Sequence, residues 1–306
     1  YGPEGVRLCH CAGPDMMYIE DTGNHDVRTE GMSYAMMFCV QMNRQKEFDC
    51  LWRWVVTHMY LTEGENASYF AWSCHTDGSK NSDGPAPDGE EFFAMSLFFA
   101  ANRWGSGEGV LDYASWARRI LHACVHKGEE AGSGFPMWNP ENHLIKFIPN
   151  CEFTDPSYHL PHFYELFALW SDECDRPFWH AAAAASRQYL RKACHARTGL
   201  SAEYAEYDGR PHRGDQPDRH DWFFSDAYRT LGNIALDAQW FGDKDGWAQE
   251  TAAHIQQFFE EKEHGQTNGI YLIDGTPVEG NALHPVGLLA TIAQGSLILD
   301  DACADE

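Results

Sequence analysis

Three short stretches of this chain place a carboxylate among small, turn-forming residues next to an apolar, aromatic-rich run. They are Val27 to Tyr34 around Glu30, Pro85 to Phe92 around Asp88, and Phe224 to Arg229 around Asp226. A carboxylate held where a loop meets a buried helix is unfavourable unless it is paired or put to use. Hydrolysis of a glycosidic bond is one such use. It needs a pair of acids and further polar groups that grip the ring between them.

Each acid also has an ordinary reading. Glu30 precedes Gly31 and an almost wholly apolar run, surroundings that favour the neutral carboxyl a general acid requires. A plain helix-start carboxylate would instead be stabilised as the anion by about 0.3–1 kcal/mol. Asp88, between Pro87 and Gly89, has the form of a helix N-cap. Asp226 does too, with Ser225 competing for the cap and Arg229 three residues on to pair with it.

The elements that must position these acids are helical. Apolar residues recur at three- and four-residue steps over 32–42, 45–60, 90–103, 113–126, 160–170, 177–194, 225–241, 246–262 and 286–299. Pro177 suits a first helical turn, and Gly199 follows the end of that helix. Apolar helices alternate with amphipathic ones. Long loops rich in Gly, Pro, Asp and aromatics separate the pairs, at 67–89, 132–161, 198–225 and 267–285. Loops of that length usually carry function. Alternation of this kind predicts an all-α toroid, the (α/α)6 barrel, with the more apolar helices inside and residues 1–306 forming one domain.

Composition narrows the partners. The formal charge of −24, from 22 basic and 46 acidic residues, argues against nucleic acid and anionic membrane surfaces and suits a neutral substrate. The 10 cysteines lack the dense spacing of a disulfide scaffold, which predicts reduced thiols and a cytoplasmic location. Cys9-His10-Cys11 resembles half of a metal site, but no second pair follows at ligand spacing, so no metal is expected there. No run of about 18 apolar residues exists to span a membrane. The segment from His212 to Asp221 reads as a solvated loop.

Four motifs, taken together, carry a resemblance. Asp26 to Tyr34 (with Glu-Gly-Met-Ser-Tyr), Pro85 to Glu91 (with Ala-Pro-Asp-Gly), Thr154 to His159 (Thr-Asp-Pro-Ser-Tyr-His) and Ser225 to Arg229 occur in order over most of the chain. In that combination the sequence resembles glycoside hydrolase family 8, and within it the reducing-end xylose-releasing exo-oligoxylanases. The resemblance implies an (α/α)6 barrel and inverting hydrolysis of β-1,4 linkages without metal or organic cofactor. It implies Glu30 as proton donor and Asp226 as the base that activates water. Asp88 would hold the distorted sugar, and Tyr158 would help position the attacking water. Inversion leaves room for water, so the two acting carboxyl groups should stand roughly 6.5–9.5 Å apart.

Arg28, Trp72, Trp138 and Trp222 lie in or beside the motifs and long loops and are read as substrate-binding, with Trp104 a further aromatic near a loop. Ala282 to Gly287, with its Leu-His-Pro, resembles the segment that closes the reducing-end side in exo-acting members, so His284 is expected to recognise the terminal xylose. The pattern has a second histidine where this chain has Ala282. Six helix pairs need twelve helices and family members run further at both ends, so the barrel is expected to be incomplete. The rivals are an endo-acting relative on xylan, β-glucan or chitosan, and a truncated, inactive carbohydrate-binding barrel. A sugar epimerase on a similar barrel would instead require catalytic histidines.

Overall fold

The computed structural model describes residues 8–130, 132–214, 219–264 and 267–299. Four residues of the 212–221 loop therefore lie outside the described set. The chain divides into two compact units.

The first unit comprises Tyr1–Trp138, Ile148–Asn150 and Leu169–Arg176. It opens with a hairpin, β1 (Cys9–Cys11) against β2 (Met17–Ile19), in which His10 pairs with Glu20 at 3.0 Å. β3 (Asp26–Arg28) then pairs antiparallel with β4 (Ser73–His75), setting Arg28 opposite Ser73. Four helices follow the expected alternation. α1 (Thr29–Gln41) is apolar and packs on both α2 (Gln45–His58) and α3 (Pro87–Trp104), and α3 packs on α4 (Tyr113–His126). α2 and α4 each bury one stripe: Phe48, Leu51, Trp52 and Val55 in α2, and Trp116, Ile120 and Leu121 in α4. The rings of Phe70, Phe93 and Trp116 converge on Trp52, whose indole N–H donates to the Val110 carbonyl at 2.8 Å.

The second unit comprises Asn139–Phe147, Cys151–Ala168 and Pro177–Glu306. It holds most of α5 (Pro161–Trp170) and α6 (Arg176–Ala193), together with α7 (Arg229–Phe241), α8 (Trp247–Glu263) and α9 (Pro285–Gly295). α7 packs on α8 and α9, burying Leu231, Ile234, Ala252, Ile255, Phe259 and Leu288 in one core. A small antiparallel sheet, β5 (Trp222–Phe223), β6 (Ile270–Leu272) and β7 (Pro277–Val278), organises two of the long loops.

Helix starts differ from the sequence reading in one consequential way. α1 begins at Thr29 and α3 at Pro87, so Glu30 and Asp88 lie inside first helical turns. The causes are local. The Thr29 N–H donates to the Trp72 carbonyl at 3.0 Å at the end of the β3–β4 pairing, and Pro87 presets a helical φ at the first turn of α3. Conversely, α7 starts at Arg229, and Asp226 occupies a separate 3-10 turn, Ser225–Tyr228. Among the described residues no helix is long and apolar enough to cross a membrane, and the described cysteines are all free thiols.

Candidate active site

In the first unit the Glu30 and Asp88 turns are docked on each other. A Cβ at Gly89 would stand 2.5 Å from Thr29 Cβ and 2.6 Å from Thr29 Oγ1, so only glycine permits this approach of α3 to the start of α1. Asp88 is 3% exposed, and its Oδ1 accepts from the Gly89 N–H at 2.9 Å. Glu30 is half-buried, one residue beyond Thr29. The contact thus fixes the spacing between two of the sequence-predicted carboxylates.

Trp72 and Arg28 belong to the same corner. The Arg28 guanidinium lies 5.2 Å from the Trp72 ring centroid, while its Nε donates to Asp26 Oδ1 at 3.0 Å and pairs with Asp21 at 3.3 Å. Asp26 also accepts from the Ser73 hydroxyl at 3.0 Å. Arg28 therefore braces one face of a half-buried Trp72 as part of an ion network. Trp138 is 1% exposed, the burial of a core side chain. Trp104 packs on Phe48 and Tyr113, and its indole N–H donates to Asn43 Oδ1 at 2.8 Å. These contacts make it a brace at the end of α3.

In the second unit the Tyr158 turn (Pro156–Tyr158) and the Asp226 turn pack against each other and against α7. Arg229 joins them. Its Nη2 donates to Ser157 Oγ at 3.1 Å and pairs with Asp226 Oδ1 at 3.3 Å, and its guanidinium carbon lies 5.6 Å from the Tyr158 ring centroid. Asn233 Nδ2 donates to the Ser157 carbonyl at 2.7 Å, tying the turn to α7. Ser225, immediately before Asp226, has φ of +40°, a left-handed conformation that a non-glycine residue adopts at an energetic penalty. The surrounding contacts hold that strain and aim the Asp226 side chain, which is 40% exposed.

His159 fastens the same turn from behind. Fully buried, it bonds Thr154 Oγ1 at 2.9 Å and Ser186 Oγ at 2.8 Å, and burial lowers its pKa to about 3. Trp222 is half-buried. Its indole N–H donates to Glu203 Oε2 at 2.6 Å, and Arg219 lies 5.3 Å from the ring centroid. His284 is exposed and immediately precedes α9, which packs against the Asp226 turn. Tyr158, Asp226 and the His284 segment are thus gathered in one region of this unit.

Asp155 and Glu90 are among the carboxyl groups that lay within the quoted motifs without a role of their own. Asp155 is completely buried. Its Oδ1 accepts from the Ser157 N–H at 2.6 Å and its Oδ2 has no hydrogen-bond partner. Burial, then the nearby Asp226 charge, push its pKa well up, against the pull of Arg229. Glu90, in α3, is equally buried, with Oε1 accepting from the Phe70 N–H at 2.9 Å and Oε2 unpartnered. Desolvation raises its pKa well above the usual carboxylate range. No local signal marks either residue, since Asp155 has Thr154 and Ser157 close by and Glu90 stands between Asp88 and Glu91.

The second unit also has a cavity of about 380 Å³, toward the end of α7 opposite the Asp226 turn. Two of its three acids are already paired, since Arg187 bonds Asp237 at 2.7 and 2.8 Å and Glu165 at 2.5 Å. The predicted chemistry does not lie there.

A helical scaffold that presents helix-start acids, a strained aspartate turn and braced tryptophans has the character of a carbohydrate-active enzyme. The family model for glycosyl hydrolases family 8 matches residues 14–297, and the chain belongs to that family. It is a glycoside hydrolase with the all-α (α/α)6-barrel fold. Among its relatives is the reducing end xylose-releasing exo-oligoxylanase of Halalkalibacterium halodurans, 58% identical over 293 residues, covering 95% of this chain and 74% of the relative. The Bifidobacterium adolescentis enzyme of the same name is 58% identical over 282 residues, covering 92% and 73%. The solved structure of Rex8A from Paenibacillus barcinonensis complexed with xylose superposes with a TM-score of 0.95 at 55% identity, covering 100% of this chain and 80% of that one.

Proposed function

We propose that this protein is an inverting, reducing-end xylose-releasing exo-oligoxylanase acting on short β-1,4-xylo-oligosaccharides. The observation that supports it most is similarity over nearly the whole chain to enzymes that bear that name. Glu30 protonates the leaving oxygen. Asp226 takes a proton from the attacking water, which Tyr158 helps to position. Asp88 holds the distorted sugar, an interaction that strengthens in the transition state.

Arg229 keeps Asp226 supplied with a counter-charge and ties it to the Tyr158 turn. Asp155, behind both, stays protonated and sets the shape of that turn. Trp72 and Trp222 offer partly exposed rings to the apolar faces of sugars, and His284 meets the reducing-end xylose. Trp138 takes part as core support. The proposed roles fall on residues of both units. Free thiols fit a cytoplasmic setting.

Xylotriose labelled at its reducing end tests the reading. Labelled xylose appearing first, with unlabelled xylobiose, is expected. Unlabelled xylose appearing first, or cleavage of long polymer alone, overturns the exo reading in favour of an endo-acting enzyme.

A further inference from the structure

The last turns of α4 carry His122 and His126, one helical turn apart, facing Asp175 in the segment leading into α6. His126 Nε2 lies 2.7 Å from Asp175 Oδ1, and His122 Nδ1 lies 3.7 Å from Asp175 Oδ2. One ligand atom from each of the three residues falls within 4.8 Å of the other two. The Asp175 side chain is 2% exposed and forms a fixed floor, over which His126 at 27% and His122 at 57% open to solvent.

A second feature points to a ligand. Glu129 Oε1 sits 2.6 Å from His126 Nδ1. A carboxylate on the far nitrogen is how proteins orient a metal-binding imidazole, because it fixes the tautomer and turns the other nitrogen toward the ion. Histidines at i and i+4 on one helix face, completed by a carboxylate, make an N2O donor set suited to zinc and its neighbours. The thiol of Cys174 lies 3.3 Å from Asp175 Oδ1, a soft donor beside the site.

We propose that His122, His126 and Asp175 form a binding site for a divalent transition cation of the zinc class, with Glu129 orienting His126 and water completing the shell. The ion replaces the His126–Asp175 hydrogen bond with two bonds of roughly 2.0–2.2 Å. Its consequence is structural. The same end of α4 anchors the 59–86 loop, through Lys127 Nζ to the Ala67 carbonyl and the Tyr69 hydroxyl to the Ala123 carbonyl. A cation here clamps the end of α4 and steadies the loop that carries Trp72.

The test is calorimetric titration of the tag-free chain with zinc chloride near neutral pH, with melting temperature read in parallel. One equivalent should bind and raise the melting temperature. His122→Ala and His126→Gln should each weaken binding roughly tenfold or more, and Glu129→Gln by less. His126→Gln keeps a hydrogen-bonding group toward Asp175, and His122 is exposed, so both variants should keep the far-ultraviolet spectrum of the parent. Absence of saturable binding overturns the site. So does affinity unchanged in the His122→Ala/His126→Gln double variant.

Discussion

The Glu30–Asp88 corner and the Asp155–Asp226 corner treat negative charge in opposite ways. In the first, the acids sit in the opening turns of two α-helices pressed together through Gly89 and Thr29, and the Nε of the nearby cation, Arg28, is engaged by Asp21 and Asp26. In the second, the acid sits on a strained 3-10 turn with a guanidinium at 3.3 Å. In the proposed division of labour the base, Asp226, has a guanidinium beside it, whereas the acid, Glu30, lies near an arginine whose Nε is committed to Asp21 and Asp26. Each corner is backed by a buried carboxyl group whose pKa is raised, Glu90 in the first and Asp155 in the second, and the second adds a neutral imidazole, His159.

Four outcomes sharpen or break this contrast. Largest is the loss of turnover on xylotriose in Glu30→Gln and in Asp226→Asn, about 10²–10⁴-fold each with the melting temperature retained. Steady-state kinetics showing near-parent activity in either would remove that residue from its role. Next is Gly89→Ala, which forces α3 off Thr29. It should reduce stability by about 1–3 kcal/mol in urea unfolding and lower kcat as Glu30 and Asp88 move apart. A neutral result would mean that the contact does not set their spacing.

The remaining two are pH effects of opposite sign. His159 is held neutral, with a folded pKa of about 3, below its unfolded value near 6.5. The unfolded chain therefore binds the extra proton, and stability falls as pH drops from about 6.5 towards 3, by about 1.4 kcal/mol per unit from this group. His159→Gln should flatten that slope in chemical unfolding measured across the range. Glu90 has its folded pKa raised, so the folded chain holds the extra proton and this contribution weakens as pH rises above about 4.3. Relative to the parent, Glu90→Gln should leave stability unchanged below about pH 4 and increase it progressively as pH rises above about 4.3. Parallel pH curves for parent and variant would contradict either assignment.

The helices were legible because their apolar stripes repeat faithfully. Phe48, Leu51, Trp52 and Val55 are enough to define α2. Helix starts were less so, since α1 gains its first turn from a strand pairing across to Ser73 and Trp72, more than 40 residues away. The acids could be picked out as an ordered set of motifs, but local sequence alone left Asp88 and Asp226 indistinguishable from helix caps. Asp155 stayed hidden because its meaning depends on Arg229, which reaches Ser157 across 72 residues. Trp138 shows the reverse error of scale, since a loop tryptophan in sequence is a core tryptophan once folded.

The division of labour is tested most directly with a substrate whose leaving group needs no proton. On β-xylobiosyl fluoride, Glu30→Gln should hydrolyse at close to the parent rate and give the inverted product, because fluoride departs without an acid. Asp226→Asn should stay as impaired as on xylotriose, because water still requires its base. Equal impairment of both variants on the fluoride, or rescue of Asp226→Asn alone, would contradict the assignment of acid to the first corner and base to the second.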